Sequence, residues 1–367
     1  MAVPKLRFKE FDADYTNTTF EKLKGFSIQS GKSEEKGDTG EFPFYGSTGV
    51  IGYKDIFDYE GKSILIARVG ANAGSLYQID GKYSVSDNTL RLTVSDDTSL
   101  DYLRELLIKF NLNRLVFGTG QPLVTGGMIK KVNIFIPEFT EQTKIASFLS
   151  AVDEKISQLT QKHQLLSQYK QGMMQKLFSQ QIRFKADDGS EFGEWENISV
   201  KEIFDVTRGQ VLAVSNTVSV ADADYKYPVF SSQTKQKGLM GFYKKYLFED
   251  ALTWTTDGAN AGDVNFRKGK FYCTNVCGVL LSKKGYANLC IAEILNKVTH
   301  KYVSYVGNPK LMNNVMSEIP ITIPINLEEQ TKIANFLSAI DQKIEVVAEQ
   351  IEQAKTWKKG LLQQMFI

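Results

Sequence analysis

Histidine and cysteine are scarce in this chain of 367 residues, which has two histidines and three cysteines. Imidazole is the usual general base and metal ligand near neutral pH, so His163 and His300 offer little for catalysis. Cys273 and Cys277 are four residues apart and Cys290 follows, but a structural zinc site needs four Cys or His ligands in paired spacing. Three cysteines cannot build a disulfide framework either. We therefore predict no metal site and a location in the reducing cytoplasm.

Long apolar runs are also missing. No stretch approaches the roughly 18 consecutive apolar residues of a membrane helix, and the chain does not start with the apolar segment of a secretory signal. The 44 basic and 42 acidic residues nearly cancel, so net charge does not point to a polyanion partner. At about 150 residues per domain, 367 residues predict more than one core. The composition favours a soluble protein without a membrane partner.

An internal repeat organises the sequence. Residues 142–156 return as residues 330–344 at an offset of 188, with 12 of 15 positions identical. Both copies follow an Ile-Pro pair, and upstream the likeness thins to Gly-Ala-Asn-Ala-Gly at 70–74 and 258–262. Chance does not produce such a match, so the chain is two consecutive copies of one plan.

Apolar residues recur every seven positions through both repeated segments, which is the pattern of a coiled coil. Five heptads make about 55 Å of helix at 1.5 Å per residue, which suits a spacer. Lys170 and Lys358 occupy equivalent positions of the repeat, where they could contact phosphate or turn outward to solvent. We predict that the two helices pair through Ile145, Leu149, Val152, Ile156 and Leu159 in the first copy and Ile333, Leu337, Ile340, Ile344 and Val347 in the second.

The regions upstream of the helices read as α+β domains. Short β-rich runs at 63–69 and 89–94, and at 251–256 and 278–282, are bounded by Gly, Asn and Asp. A helical stretch follows in each copy, at 100–112 and 287–303, and then a last strand at 132–136 or 319–323. The predicted division is domain 1 at 1–140, helical spacer 1 at 141–184, domain 2 at 185–326 and helical spacer 2 at 327–367.

No catalytic constellation is recognisable. Gly-Lys-Ser occurs at 31–33 and 61–63 without the preceding glycine of a phosphate-binding loop, and no methyltransferase tetrapeptide ending in Pro-Pro is present. Two diverged domains on two near-identical helices therefore favour binding over catalysis. Their loops carry polar and aromatic side chains suited to base edges and phosphates, and we predict DNA contacts from Tyr45, Ser47, Arg68, Asn72, Gln121, Ser232, Lys235, Asn260 and Lys310.

This arrangement resembles the specificity subunit of Type I restriction-modification systems over essentially the whole chain. The most specific feature is the doubled Glu-Gln-Thr-Lys-Ile-Ala…Phe-Leu-Ser-Ala segment. The resemblance also rests on Arg7-Phe8, Arg183-Phe184, Gln121-Pro122-Leu123, Asn308-Pro309 and the loops at 70–74 and 258–262.

The resemblance implies an α+β fold in which two target recognition domains alternate with two long conserved helices that pair as an antiparallel coiled coil. It implies a non-catalytic subunit without a cofactor of its own, which binds double-stranded DNA at a bipartite, asymmetric target. The implied partners are two methyltransferase subunits, which use S-adenosylmethionine, and restriction subunits, which use ATP and Mg²⁺.

A pure protein scaffold is the alternative. In that interpretation the helices join protein partners and the domains bind proteins without DNA specificity, which the nearly neutral charge would suit. DNA binding that weakens steeply with rising salt would distinguish a DNA reader from a scaffold, because phosphate contacts release counterions.

Overall fold

The computed structural model describes residues 3–32, 37–117, 122–232, 235–282 and 284–367. The chain forms two compact units, of which unit 1 comprises Met1–Gln161 with Val347–Ile367 and unit 2 comprises Lys162–Val346. Each unit therefore contains one α+β domain and a part of both long helices. The predicted boundaries at residues 140, 184 and 326 divide the chain along its sequence, whereas the two units divide it in space. The predicted domain boundaries therefore stay a prediction.

The strands of unit 1 form three sheets within the described residues. A four-stranded antiparallel sheet has the order β2-β9-β6-β7, and a second has the order β4-β3-β8-β5 with β3 parallel to β8. Strands β1 and β10 pair separately. The bounds are β1 Thr16–Thr19, β2 Ser27–Ser30, β3 Phe42–Gly46, β4 Gly49–Lys54, β5 Tyr59–Glu60, β6 Ser63–Ala67, β7 Leu76–Ile79, β8 Lys82–Val85, β9 Thr89–Thr93 and β10 Asn133–Ile136.

Unit 2 repeats this plan with one larger sheet, whose order is β12-β17-β15-β16-β13-β14, and a separate pair of β11 and β18. The long strand β16 replaces β7 and β8 of unit 1, so one continuous sheet stands where unit 1 has two. The bounds are β11 Glu196–Ser199, β12 Asp205–Arg208, β13 Tyr227–Phe230, β14 Leu239–Tyr243, β15 Phe248–Thr255, β16 Val264–Cys273, β17 Cys277–Leu281 and β18 Pro320–Ile323.

One helix packs on the main sheet of each unit and begins at a capped residue. The Ser99 hydroxyl accepts a hydrogen bond from the Tyr102 amide, and the Asn288 side chain accepts one from the Ile291 amide. Such caps satisfy amides that lack a partner within the helix. The helices are α1 Leu100–Phe110, α2 Gly126–Lys130, α3 Phe139–Phe178, α4 Val200–Ile203, α5 Leu289–Thr299, α6 Asn313–Glu318 and α7 Leu327–Met365.

The strands and helices predicted from the sequence are confirmed at nearly the predicted positions. The predicted run at 63–69 is strand β6, all of whose residues are buried, and the predicted helix at 100–112 is α1. In unit 2 the predicted run at 278–282 is β17. These elements could be predicted because their apolar patterns arise from local sequence.

The two long helices begin with a buried carboxylate that an arginine clamps. Arg7 donates to both carboxylate oxygens of Glu141 at 2.8 and 2.7 Å, and the Tyr15 hydroxyl donates to the same carboxylate at 3.1 Å. Unit 2 repeats this bidentate pair with Arg183 and Glu329, at 3.0 and 2.8 Å. A negative charge in the first turn also suits the helix dipole. The segment that leads into each domain is thereby tied to the start of a long helix.

Within unit 1, the first half of α3 runs antiparallel to the last part of α7. Ile145 and Leu149, near the start of α3, share the core of the unit with Leu361 and Met365, near the end of α7. Leu159, farther along α3, lines a cavity with Ala354, which comes earlier in α7. In unit 2, the start of α7 and the end of α3 share a core in the same manner. Eight predicted seam residues are buried and two, Ile156 and Ile344, are half-buried.

A lysine of each unit joins three helices through two carboxylates. In unit 1, Lys358 of α7 lies 3.0 Å from Glu105 of α1 and 2.7 Å from Asp153 of α3. Unit 2 repeats the cluster at the 188-residue offset: Lys170 lies 3.1 Å from Glu293 and 2.8 Å from Asp341. Burial alone would lower the pKa of Lys170, but hydrogen bonding and the charges of Asp341 and Glu293 raise it. Both lysines, which occupy equivalent positions of the repeat, are ion-paired within their units.

The Lys358 cluster predicts a marked loss of stability in Lys358→Ala. The side chains of Lys358 and Glu105 are only 13% and 4% exposed, and in the variant the buried Glu105 carboxylate would keep only the more exposed Arg104 as a cation among the described residues. We expect unfolding in denaturant to show a loss of about 2 kcal/mol, which is less than for a buried charge left with no partner because Arg104 remains beside Glu105. Lys355→Ala removes an exposed pair with Glu352 and should cost less than about 1 kcal/mol. Equal losses for the two variants would contradict this role of the cluster.

Candidate nucleic-acid interface

In unit 1, the loop between β6 and β7 carries two of the predicted DNA contacts. Gly70 and Gly74 adopt positive φ angles of 79° and 88°, and the Gly74 amide donates to the carbonyl of Ala67, which closes a tight turn. Asn72 is exposed at its tip. The Arg68 backbone bonds to Val124 and to Asn88, so this loop is fixed to two neighbouring segments and presents Asn72 from a rigid base.

In unit 2, the equivalent loop at 258–262 is fixed in the same way. The Gly258 amide donates to the Pro309 carbonyl at 3.0 Å, just as Gly70 donates to Pro122 in unit 1. Two backbone hydrogen bonds between Ser304 and Lys310 close a short hairpin beside it. The structure therefore brings together Asn260 and Lys310, which lie 50 residues apart in the sequence.

The charge around the unit 2 loop is mixed. The exposed Lys310 ammonium lies 3.9 Å from Asp257, and His300 lies 3.4 Å from Asp263. Asn260 is half-buried, and its carbonyl accepts from the Asp263 amide. Base edges present both donors and acceptors, whereas phosphates present only acceptors. A surface with acidic and basic groups side by side therefore matches base edges better than it matches phosphates.

The remaining predicted contacts of unit 1 lie on strand β3 and after it. Tyr45 is half-buried and packs edge to face on Tyr83, with ring centroids 6.1 Å apart. The carbonyl of Ser47 accepts a hydrogen bond from the Tyr77 hydroxyl. Both residues thus border a tyrosine-rich cluster instead of the Asn72 loop. Gln121 lies outside the described residues.

The remaining predicted contacts of unit 2 follow strand β13. Ser232 is half-buried, and its neighbour Ser231 lines a cavity of about 190 Å³ together with Asn260. Lys235 begins a short turn, Lys235–Gly238, in which Gln236 and Lys237 adopt positive φ angles of 50° and 51°. Of the predicted contacts Asn260 lines this cavity, whereas Ser232 and Lys235 lie one or two residues from Ser231 and Lys237, which do.

Sequence reasoning missed two features of unit 2. One is the tip of the 304–310 hairpin, where Tyr305 and Val306 are 67% and 91% exposed. The other is Arg267, a buried cation in the wall of the cavity. Exposed apolar residues before an Asn-Pro pair could have marked the hairpin tip. Arg267 carries no such signal, because it lies in a short basic run, Arg267–Lys270, typical of a solvated strand.

Two further properties concern the part of the chain that the structure describes. It contains no group of three or more His, Cys, Asp or Glu side chains placed to hold a metal ion. None of its helices is both long and apolar enough to cross a membrane.

A comparison with family models matches the chain to the Type I restriction modification DNA specificity domain, at residues 19–168 and again at 193–356. The two matches fall on the two copies of the internal repeat. Together they cover most of the chain, and the doubled match agrees with the doubled architecture.

Curated relatives carry the same description, and a solved structure shares the fold. The chain is 26% identical over 340 residues to the Type I restriction enzyme MjaVIII specificity subunit of Methanocaldococcus jannaschii, covering 82% of this chain and 77% of that one. It is 35% identical over 162 residues to a putative type I specificity subunit of Mycoplasma pneumoniae, covering 43% of each. Its fold matches the S subunit of a Type I system from M. genitalium with a TM-score of 0.74 at 18% identity, covering 100% and 99% of the two chains.

The packing beneath the unit 2 loop predicts that Gly278→Ala is destabilising. A β-carbon at Gly278 would lie 2.1 Å from the ring of Trp254, whose indole donates to the carbonyl of Leu311 beside the hairpin. Because Trp254 is buried, we expect thermal unfolding to show a loss of about 1–3 kcal/mol. Gly172→Ala lies in α3 with open space around it and should gain about 0.5–1 kcal/mol. An unchanged melting temperature for Gly278→Ala would contradict the packing argument.

Proposed function

Because the chain belongs to the family of Type I restriction modification DNA specificity domains, we propose that it reads a DNA target of two dissimilar parts and catalyses no reaction itself. Unit 1 reads one part and unit 2 the other. The relatives named as specificity subunits support this role.

One observation carries the proposal: the two units share a framework but differ on the faces that could read bases. The arginine clamps, the lysine clusters and the Gly-Ala-Asn loops occur in both units. On the equivalent sheet face, however, unit 1 has Leu65 and Tyr77 where unit 2 has Thr253 and Asn265. A common support with different surfaces suits two readers of different sequences.

The partners of this subunit follow from the same proposal. It binds double-stranded DNA and two methyltransferase subunits that use S-adenosylmethionine, and then restriction subunits that use ATP and Mg²⁺. Two equivalent exposed aromatic residues support binding of two copies of one partner, because Trp357 of unit 1 and Tyr169 of unit 2 are related by the 188-residue offset and are 54% and 51% exposed. Exposed aromatic side chains are typical anchors of protein interfaces.

The direct test is a methylation map. We expect the full chain, expressed with its methyltransferase subunits in a host without adenine methylation, to direct methylation to an asymmetric motif of two specific parts separated by unread base pairs. Modules that face the same groove should be about one helical turn, or 34 Å, apart. A continuous or perfectly palindromic motif would refute the proposal.

The repeat of the lysine clusters predicts that a fragment of residues 1–184 forms a two-fold dimer. Lys170 of one copy can take the place of Lys358 and meet Glu105 and Asp153 of the other, because the clusters are equivalent at the offset. With the methyltransferase subunits, the dimer should modify a palindromic split site.

Sedimentation at micromolar concentration measures the association of this fragment. Lys170→Glu should abolish the dimer, because it places a carboxylate against two others, whereas Lys162→Glu at an exposed helix position should leave it intact. A monomeric unmodified fragment, or an asymmetric methylation motif, would contradict the prediction.

A further inference from the structure

The cavity in unit 2, named here the Arg267 pocket, is a polar hollow in the recognition domain. Its volume is about 190 Å³, and its lining includes Ser231, Thr253, Asn260, Asp263, Asn265 and Arg267. Thr253 and Asn265 are direct partners across β15 and β16, and Arg267 lies two residues along on the same face. The pocket is therefore built on the main sheet, with the Asn260 loop at its rim.

Arg267 is a buried cation that the described residues only partly satisfy. It is 9% exposed, stacks 3.7 Å from the ring of Phe230, and donates to the Thr253 hydroxyl at 3.0 Å and to the Lys237 carbonyl at 2.7 Å. These two bonds use two of its five N–H donors. Burial lowers the pKa of Arg267 to about 10. Within the described residues no carboxylate pairs with it, so donors remain for a ligand that enters the pocket.

The equivalent place in unit 1 is filled. The strand pairing aligns Leu65 with Thr253, Tyr77 with Asn265 and Ile79 with Arg267. These three unit 1 residues belong to a cluster that also contains Tyr45, Tyr59 and Tyr83. Apolar and aromatic side chains, together with Arg91, which stacks on Tyr59 and donates to the Tyr83 hydroxyl, thus lie in unit 1 where unit 2 has the open, polar pocket. Among the described residues, this set of hydrogen-bonding groups lines the sheet face of unit 2 and is replaced in unit 1, as expected of a feature that gives one domain its own specificity.

The chemistry of the pocket fits a nucleobase better than a phosphate. Arg267 supplies donors, Asp263 supplies acceptors, and the amides of Asn260 and Asn265 supply both. A phosphate presents only acceptors, so it would suit Arg267 and Lys237 but leave Asp263 unmatched, whereas the edge of cytosine combines an acceptor oxygen with a donor amino group. The volume is also suitable, because a cavity of about 150 Å³ holds a six-membered ring.

We propose that the Arg267 pocket receives a single unstacked base, with a carbonyl oxygen and an amino group, from the part of the target that unit 2 reads. Arg267 donates to the carbonyl oxygen, Asp263 accepts from the amino group, and the asparagines fix the orientation of the ring. This inference rests on the proposed function of the chain. Methyltransferases take the base that they modify, here expected to be an adenine, out of the stack. The proposal adds a second unstacked base, separate from that adenine.

The test uses the full chain with its methyltransferase subunits on DNA duplexes of the mapped target. At each position of the part that unit 2 reads, the opposite base is replaced by an abasic site, which keeps the scanned base but removes its pairing. Extruding an unpaired base avoids part of the unpairing cost, so binding should tighten by about tenfold at one position besides the methylated adenine. At other positions, binding should weaken or stay the same.

Asn265→Tyr fills the pocket with the residue that unit 1 has at this place. It should remove the tighter binding at the pocket position but keep it at the methylated adenine, which serves as an internal control. Asn197→Tyr, at an exposed position of β11, should change neither. If Asn265→Tyr lowers the melting temperature strongly, the same binding measurements are made with Asn265→Ala, which removes the amide without adding bulk and should likewise lose the tighter binding at the pocket position.

Three results would refute the proposed role of the Arg267 pocket but leave the proposed function standing. They are tighter binding only at the methylated adenine, tighter binding that persists in the folded Asn265 variants, and sequence-specific binding that no abasic site tightens. Failure of the complex to bind its mapped target specifically would overturn the proposed function instead.

Discussion

The ion clusters of Lys170 and Lys358 are the interaction on which both units depend. Each lysine neutralises a carboxylate from the domain helix and one from the opposite long helix, so one ammonium sets the position of three helices. An apolar seam alone tolerates slippage by a heptad, because every heptad offers similar residues. A buried cation that must meet two carboxylates allows one register. The repeat places this constraint once in each unit.

The framework that these clusters hold leaves the domain surfaces free to diverge. The bidentate clamps of Glu141 and Glu329 fix the entry of each domain, and Trp254 fixes the hairpin of unit 2 to its sheet. What differs between the units is the sheet face and the loops beside it. A tyrosine cluster fills this face in unit 1, and a buried arginine lines a hollow there in unit 2. Divergence of this kind changes what is recognised without changing the support.

The candidate DNA contacts vary in how well the sequence located them. Asn72 and Asn260 follow from a pentapeptide present in both copies, and the structure places each at a rigid loop. Tyr45 and Ser47 are predicted from residue type alone, and they border a tyrosine cluster. The sequence does not predict a role for Arg267, because its surroundings come from strands and turns that are separate in the sequence. Their DNA contacts stay predictions.

The sequence by itself determined the repeat, the heptad helices and the strands of both domains, because these features depend on residues close together in the chain. Only the tertiary structure decided which carboxylates meet Lys358 and what surrounds Arg267. Glu105 and Lys358 are far apart along the chain, and Thr253 becomes a neighbour of Asn265 only through strand pairing. Apolar periodicity records which side of an element is buried, but a polar pocket depends on the packing of several elements, which no local pattern records.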